Sequence, residues 1–471
     1  MADATHNLSL EEMDRQSVLH PFTQLKQFAA GDLGGPRIVN GGQGIRITDT
    51  KGNELIDGFA GLYCVNVGYG RTEIAEAIYE QAKTLAYYHA YAGHSNEPTI
   101  RLSDKILRKT PSNMSKIFYG LGGSDANETN TKIVWYYNNV RGMPRKTKII
   151  ARKRGYHGGT VFSGSLTGLE IFHTAFNLPV PQVLHTTTPH HYWHAEAGES
   201  ERDFSKRCAE DLNRMIEEEG PDTVGAFIGE PVLGTGGIIP PPEGYWQEIQ
   251  KVLDRHDVLL ISDEVVCGFG RLGSEFGALH YGMKPDLMTI AKGLTSAYQP
   301  LSGSIVGDKV WKVLEEGSDI YGPFAHGLTY SAHPCGAAAG LANLAIIERE
   351  GLVENAKTTG AYFQQKLHEA FDGHPMVGEV RGEGLLGAIE FVADPAQKTR
   401  FDPSMKVGAQ LAAACINEGL IARAMPHGDI LGFAPPLIVT RADVDQIVAL
   451  TVKAVDGVTD KLVREGSLKA A

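Results

Sequence analysis

Short apolar runs, each closed by glycine, proline or a charged residue, recur through the middle of this chain. They stand at 116–119, 148–152, 223–228, 258–262, 287–290 and 302–306, and helical spacing of apolar residues fills the intervals. Such runs, rich in aliphatic and β-branched residues, read as strands buried on both faces. Strand and helix in alternation predict a mostly parallel sheet covered by helices, from about residue 98 to 340. Before it, residues 37–57 alternate apolar and polar positions around Gly41-Gly42 and Gly44, which predicts a small antiparallel hairpin. The first 35 residues form a polar, partly helical arm. After an Ala- and Leu-rich helix at 337–348, apolar runs at 384–392 and 437–439 flank a helix at 407–418 and predict a smaller α+β unit. The division expected is an arm with part of a small domain at 1–70, a large domain at 71–340, and a C-terminal small domain at 341–471.

Two of these strands deliver chemistry to one sheet edge. The run at 258–262 passes into Asp263-Glu264-Val265-Val266-Cys267-Gly268-Phe269-Gly270-Arg271, and the run at 287–290 into Ala291-Lys292-Gly293. Ligands of open α/β sheets gather at the carboxyl ends of strands. A carboxylate and an amine converging there suggest a Schiff-base site, the lysine holding an aldehyde cofactor and the aspartate pairing with a protonated ring nitrogen. Taken singly, an Asp after a strand is more often a helix cap, and a Lys is more often solvated.

Taken together, these residues resemble the signature of the class III aminotransferases, fold-type-I enzymes that use pyridoxal 5'-phosphate (PLP), nearest the ω-amino acid or amine:pyruvate branch. The resemblance runs from Phe22 to Pro435-Pro436 and is densest between Gly122 and Thr329. It implies a large domain with a mostly parallel central sheet, plus a small α+β domain drawn from both chain ends. It makes Lys292 and Asp263 the catalytic pair. Gly123 and Ser124, within Gly120-Leu121-Gly122-Gly123-Ser124-Asp125-Ala126-Asn127-Glu128, would bind the cofactor phosphate, since glycine lets the backbone approach and helix-start N–H groups are free. Read alone, that motif is a simple helix cap. In Arg154-Gly155-Tyr156-His157-Gly158-Gly159, Tyr156 would stack on one ring face. A strand period of two would put Asp263 and Val265 on one side, with Val265 over the other ring face. His157 and Glu230 complete the implied cofactor set.

Thr329 matches the family threonine that binds the phosphate of the neighbouring subunit, which implies a homodimer with shared active sites and leaves a tetramer open. Arg423 matches the arginine that clamps an acid's carboxylate and swings away for a substrate without one. Phe22, Leu62, Tyr63, Tyr91, Tyr156 and Thr235 form the implied apolar and aromatic substrate set. Ornithine and 4-aminobutyrate aminotransferases carry an acid where Thr235 stands, which argues against those two activities. The implied reaction is ping-pong transfer, by way of pyridoxamine phosphate, from an ω-amino acid or primary amine to pyruvate. β-Alanine, taurine, a polyamine and an aryl-alkyl amine all remain open as donor. An aminomutase or epimerase of the same fold is the rival, and it would need no separate acceptor.

Composition changes this picture little. A net charge of −12 argues against nucleic acid or anionic membrane as partner but does not identify a substrate; the small-molecule amine and oxo acid are what the resemblance implies. No stretch approaches a membrane span, and the first twenty residues lack the apolar run of a signal peptide. The five cysteines are scattered, which fits a reducing cytoplasm. His185, His190, His191 and His194 cluster in sequence, but without Cys or acidic companions at a familiar spacing no metal is expected.

Overall fold

The computed structural model describes residues 8–33 and 35–468. Residues 1–7 of the expected arm, which also open the stretch read as lacking a signal peptide, lie outside the described residues, as do 34 and 469–471. Near the N-terminus, β1 (Val39–Gln43), β2 (Arg46–Asp49) and β3 (Glu54–Asp57) form an antiparallel meander, one strand more than the predicted hairpin. The arm before it carries helices at Leu10–Ser17 and Leu25–Ala30.

The large sheet holds β4 (Met114–Gly120), β5 (Lys148–Arg152), β6 (Val183–Thr186), β7 (Val224–Gly229), β8 (Leu259–Asp263), β9 (Leu287–Ile290) and β10 (Ser302–Gly307), in the order β4-β10-β9-β8-β7-β5-β6. Only β10 runs against its neighbours. The strand β6 was not predicted. It is short, and His185 and Thr186 interrupt its apolar run.

The period of two divides each central strand between two layers. Ile150, Phe227, Leu260 and Met288 pack with Phe204, Leu212, Trp246 and Leu253 of the helices Glu201–Glu219 and Tyr245–His256. Their neighbours Ile149, Ala226, Leu259, Ile261 and Leu287 pack with Ile133, Val134 and Tyr137 of the helix Gly123–Val140. Burying one such aliphatic side chain contributes about 1.5–3 kcal/mol, so both faces hold the strands in register. By the same parity, Asp263 and Thr289 turn toward the helix Gly123–Val140.

The C-terminal part contains β11 (Val377–Glu383), β12 (Leu386–Phe391), β13 (Leu420–Ile421), β14 (Arg423–Ala424) and β15 (Ile430–Phe433). β13 pairs in parallel with β3, tying the two ends of the chain into one sheet. The run at 437–439, expected as a strand, is a turn after Pro435-Pro436. Proline lacks the N–H that a ladder requires. The run at 384–392 begins with a turn at Gly384-Leu385 and becomes strand only from Leu386. Among the described residues no helix is long and apolar enough to cross a membrane.

Candidate active site

The carboxyl ends of β4, β5, β7, β8 and β9 open onto one cavity of about 380 Å³. Gly123 and Ser124 follow β4, Tyr156 and His157 follow β5, Glu230 follows β7, Asp263 ends β8, and Lys292 follows β9.

Lys292 opens the turn after β9 with φ +42°, a left-handed conformation that costs a side-chain-bearing residue of order 1–3 kcal/mol. Tyr63, Ser296 and Ala297 nearby in the fold also have positive φ. Lys292 Nζ has no hydrogen-bond partner among the described residues and lies 5.4 Å from the Tyr63 ring centroid. Enclosure pushes its amine below the ordinary lysine value, and Arg423 adds to this, while Cys64, Asp263 and Glu230 act the other way. The result favours the neutral, nucleophilic amine.

Asp263 is buried, and its Oδ2 lies 2.9 Å from Asn127 Nδ2 and 2.7 Å from His157 Nδ1. Its Oδ1 accepts from the Val265 N–H at 3.2 Å. The orientation of the Asn127 amide is set on both ends. Its oxygen accepts the Thr289 hydroxyl at 2.6 Å, and its Nδ2 also donates to the His157 carbonyl at 2.7 Å. His157 Nε2 is buried without a partner among the described residues. Asn127 was not singled out in the sequence. Its signal was the polar run Asn127, Thr129, Asn130 and Thr131 on a helix whose same positions are buried.

Val265 lines the cavity, but not for the expected reason. β8 ends at Asp263, so Val265 belongs to the following turn and the period of two does not reach it. The Asp263–Val265 hydrogen bond places it instead. Glu230 is buried and accepts from the N–H groups of Tyr156 at 3.0 Å and Gly234 at 2.8 Å. Burial pushes its carboxyl up.

Of the substrate residues, Phe22, Leu62, Tyr156, Thr235 and Arg423 line the cavity. Tyr156 meets Phe172 edge-on at 5.3 Å, and Phe172 meets Phe22 at 5.1 Å, an aromatic wall in which Phe172 is an addition. Tyr63 lies behind that surface, buried against Phe59 at 4.3 Å. Tyr91 and Thr329 are exposed and do not line the cavity built by one chain. Arg423 Cζ stands 5.5 Å from the Phe59 ring centroid, and no carboxylate pairs with it among the described residues.

Four features fit a flat, phosphorylated aldehyde. The Lys292 amine is unbonded. The first turn of the helix Gly123–Val140 faces the cavity, where N–H groups have no partner within the helix. A Cβ on Gly123 would come 3.0 Å from Val265 Cγ2 and close the space between them. Gly158, at φ +139°, leaves room for Ser124, whose Oγ would lie 2.6 Å from a Cβ there and which accepts the Gly159 N–H at 3.1 Å.

The histidine cluster is occupied otherwise. His185 and His191 contact the carbonyls of Leu166 and Glu199, and His190 lies between Arg154 and Glu379. Among the described residues no group of three or more His, Cys, Asp or Glu could hold a metal.

The family model described as aminotransferase class-III matches residues 29–455. A diaminobutyrate–2-oxoglutarate transaminase of Halomonas elongata is 63% identical over 99% of this chain and 100% of its own. A putrescine–pyruvate aminotransferase of Pseudomonas aeruginosa is 39% identical over 95% of each chain. The crystal structure of an omega transaminase from Pseudomonas jessenii in complex with PMP superposes with a TM-score of 0.93 at 43% identity, covering 96% of this chain and 99% of that one.

Proposed function

This chain belongs to the class-III aminotransferases, and from that premise we propose that it moves an amino group from a primary amine or ω-amino acid to pyruvate. The observation that carries the acceptor is the cation set of the cavity. Among the described residues, Arg423 and Lys292 are the only Lys or Arg side chains lining it. With Lys292 assigned to the cofactor, one guanidinium remains, enough for the carboxylate of a mono-acid. The second carboxylate of 2-oxoglutarate would meet Thr235 and aromatic rings, a costly place for an unpaired charge. The aromatic wall of Phe22, Phe172 and Tyr156 supports an amine with an apolar or uncharged tail. A second reading, 2-oxoglutarate as acceptor, is favoured by the name of the 63%-identical relative.

Enzymes of this family use pyridoxal phosphate, which when bound supplies an aldehyde for the amino group and a ring that accepts the electron pair of the breaking Cα–H bond. Gly123 and Ser124 would hold its phosphate, with Thr329 of a second copy completing the cup. Tyr156 and Val265 would flank the ring, and Asp263 would accept the ring N–H. Asn127 and His157 fix the Asp263 carboxylate. The neutral Lys292 amine would take the proton from the substrate Cα as general base and deliver it as general acid to the cofactor's aldehyde carbon, on the far side of the transferred nitrogen. Arg423 orients the oxo acid through its carboxylate.

The test is a pair of half-reactions followed by absorbance. Donor amines alone should bleach the cofactor band, and pyruvate should restore it. Restoration by 2-oxoglutarate but not pyruvate would establish the second reading. A band that no amine changes would point to the mutase or epimerase.

A further inference from the structure

Beside the segment 169–171 and Pro426 lies a second cleft, of about 720 Å³. Lys153 and Arg154, from the segment after β5, meet Arg400 and His427 of the C-terminal part across it. Among the described residues, Glu170 is its only acidic lining residue. Among the described residues, none of the three cations forms an ion pair with a carboxylate. Arg154 is buried. It donates Nε to the Gly236 carbonyl at 2.8 Å and Nη1 to His190 Nδ1 at 3.0 Å, and its Nη2 has no acceptor. Arg400 stacks on Trp193, 3.8 Å from the ring centroid, which holds its guanidinium in place.

The nearby carboxylates, half-buried Glu379 and buried Glu390, are already engaged. Glu379 faces His190 and Arg381, each at 2.8 and 2.7 Å, and Glu390 faces Arg381 and Trp193 at 2.8 and 2.9 Å. Three cations around one hollow repel each other unless an anion joins them, and guanidinium groups present forked donors to carboxylate and phosphate oxygens. The volume suits a small ligand. The chain's net charge of −12 disfavours a nucleic-acid occupant.

We propose that this cleft binds a small, multiply charged anion, a polycarboxylate or a phosphate compound, at a site separate from the amine cavity. The two sites share a wall. Pro426 lines both, and Phe172, which packs on Tyr156 and Phe22, directly follows the residues that line the cleft. Occupancy therefore changes KM for the amine donor more than kcat.

Calorimetric titration of the PLP-loaded enzyme with citrate and with pyrophosphate tests this, and the stronger probe identifies the oxyanion class. Binding of at least one probe should weaken about tenfold or more in the K153Q/R400Q double variant. Both replaced side chains are exposed, so the fold should tolerate the change. Glu170→Gln, which removes the only opposing carboxylate, should tighten binding and gives an independent reading if the double variant fails to fold. Arg423→Ala should leave the cleft's binding intact. Three outcomes would overturn the proposal: no binding of either probe at millimolar concentration, binding unmoved by the double variant and by Glu170→Gln, or binding lost in Arg423→Ala.

Discussion

His157 Nδ1 and Asp263 Oδ2 lie 2.7 Å apart with both side chains buried at the end of β8. Asn127 donates to the same oxygen at 2.9 Å, so two donors hold one oxygen while Oδ1 has only the longer Val265 bond at 3.2 Å. The carboxylate plane cannot turn away from this orientation without leaving a buried donor unpaired, which costs about 1–3 kcal/mol.

Asp263→Asn should therefore fail in a specific way. With its oxygen turned to Asn127 and His157, the new amide nitrogen faces the Val265 N–H and offers a donor where an acceptor is needed. We expect kcat to fall by about 3 kcal/mol or more, the scale of losing a preorganised electrostatic contact. Single-turnover rates equal to wild type would rule out the role.

Lys292→Ala should abolish turnover with every donor, while the phosphate and ring contacts still retain cofactor without a covalent link. Activity lost by at least about 10³-fold, with cofactor released on acid treatment but no shifted absorbance band in the native protein, is the expected pair of results. Because burial lowers the Lys292 amine below its ordinary 10.5, reconstitution of apo-protein with PLP should reach its plateau rate at a pH below that value.

Arg423→Ala should separate acceptors. A charge-assisted, forked contact contributes roughly 1.5–3 kcal/mol, so pyruvate should lose about ten- to a hundred-fold in kcat/KM while a simple aldehyde acceptor loses little. Equal losses with both acceptors would show that Arg423 is not the carboxylate clamp.

His190 gives a pH-dependent stability. Arg154 can only donate, so His190 Nδ1 must accept and its proton sits on Nε2, toward Glu379; burial first, with Arg381 and Arg154, holds the imidazole at about 4, against an ordinary 6.5. Between these values the unfolded chain takes up a proton that the native imidazole refuses. This stabilisation is complete above pH 6.5 and is lost as pH falls toward 4. Between pH 7 and 5 the wild type should lose at most about 2 kcal/mol through this group. His190→Gln keeps an acceptor and a donor without titrating, so its urea midpoint should fall less over that interval. Parallel pH profiles for the two proteins would refute the assignment.

The sequence by itself determined which strands are buried, since an uninterrupted aliphatic run must be covered on both faces wherever it lies in a sheet. It also determined that Asp263 follows one apolar run and Lys292 the next such run along the chain, and the order of glycine, serine and aromatic residues was enough to reveal the family resemblance. These are local properties, legible within a dozen residues. Only the tertiary structure decided what crosses between distant segments. Asn127 meets Asp263 across 136 positions of sequence, Arg154 meets Arg400 and His427 around a common cleft, and β13 joins β3. The structure also ended β8 at Asp263, leaving Val265 to be placed by a hydrogen bond rather than by strand period. It left Tyr91 and Thr329 outside the cavity of a single chain. Side-chain periodicity reports which face is buried, but not which buried polar groups will satisfy one another, because that depends on how separate elements pack.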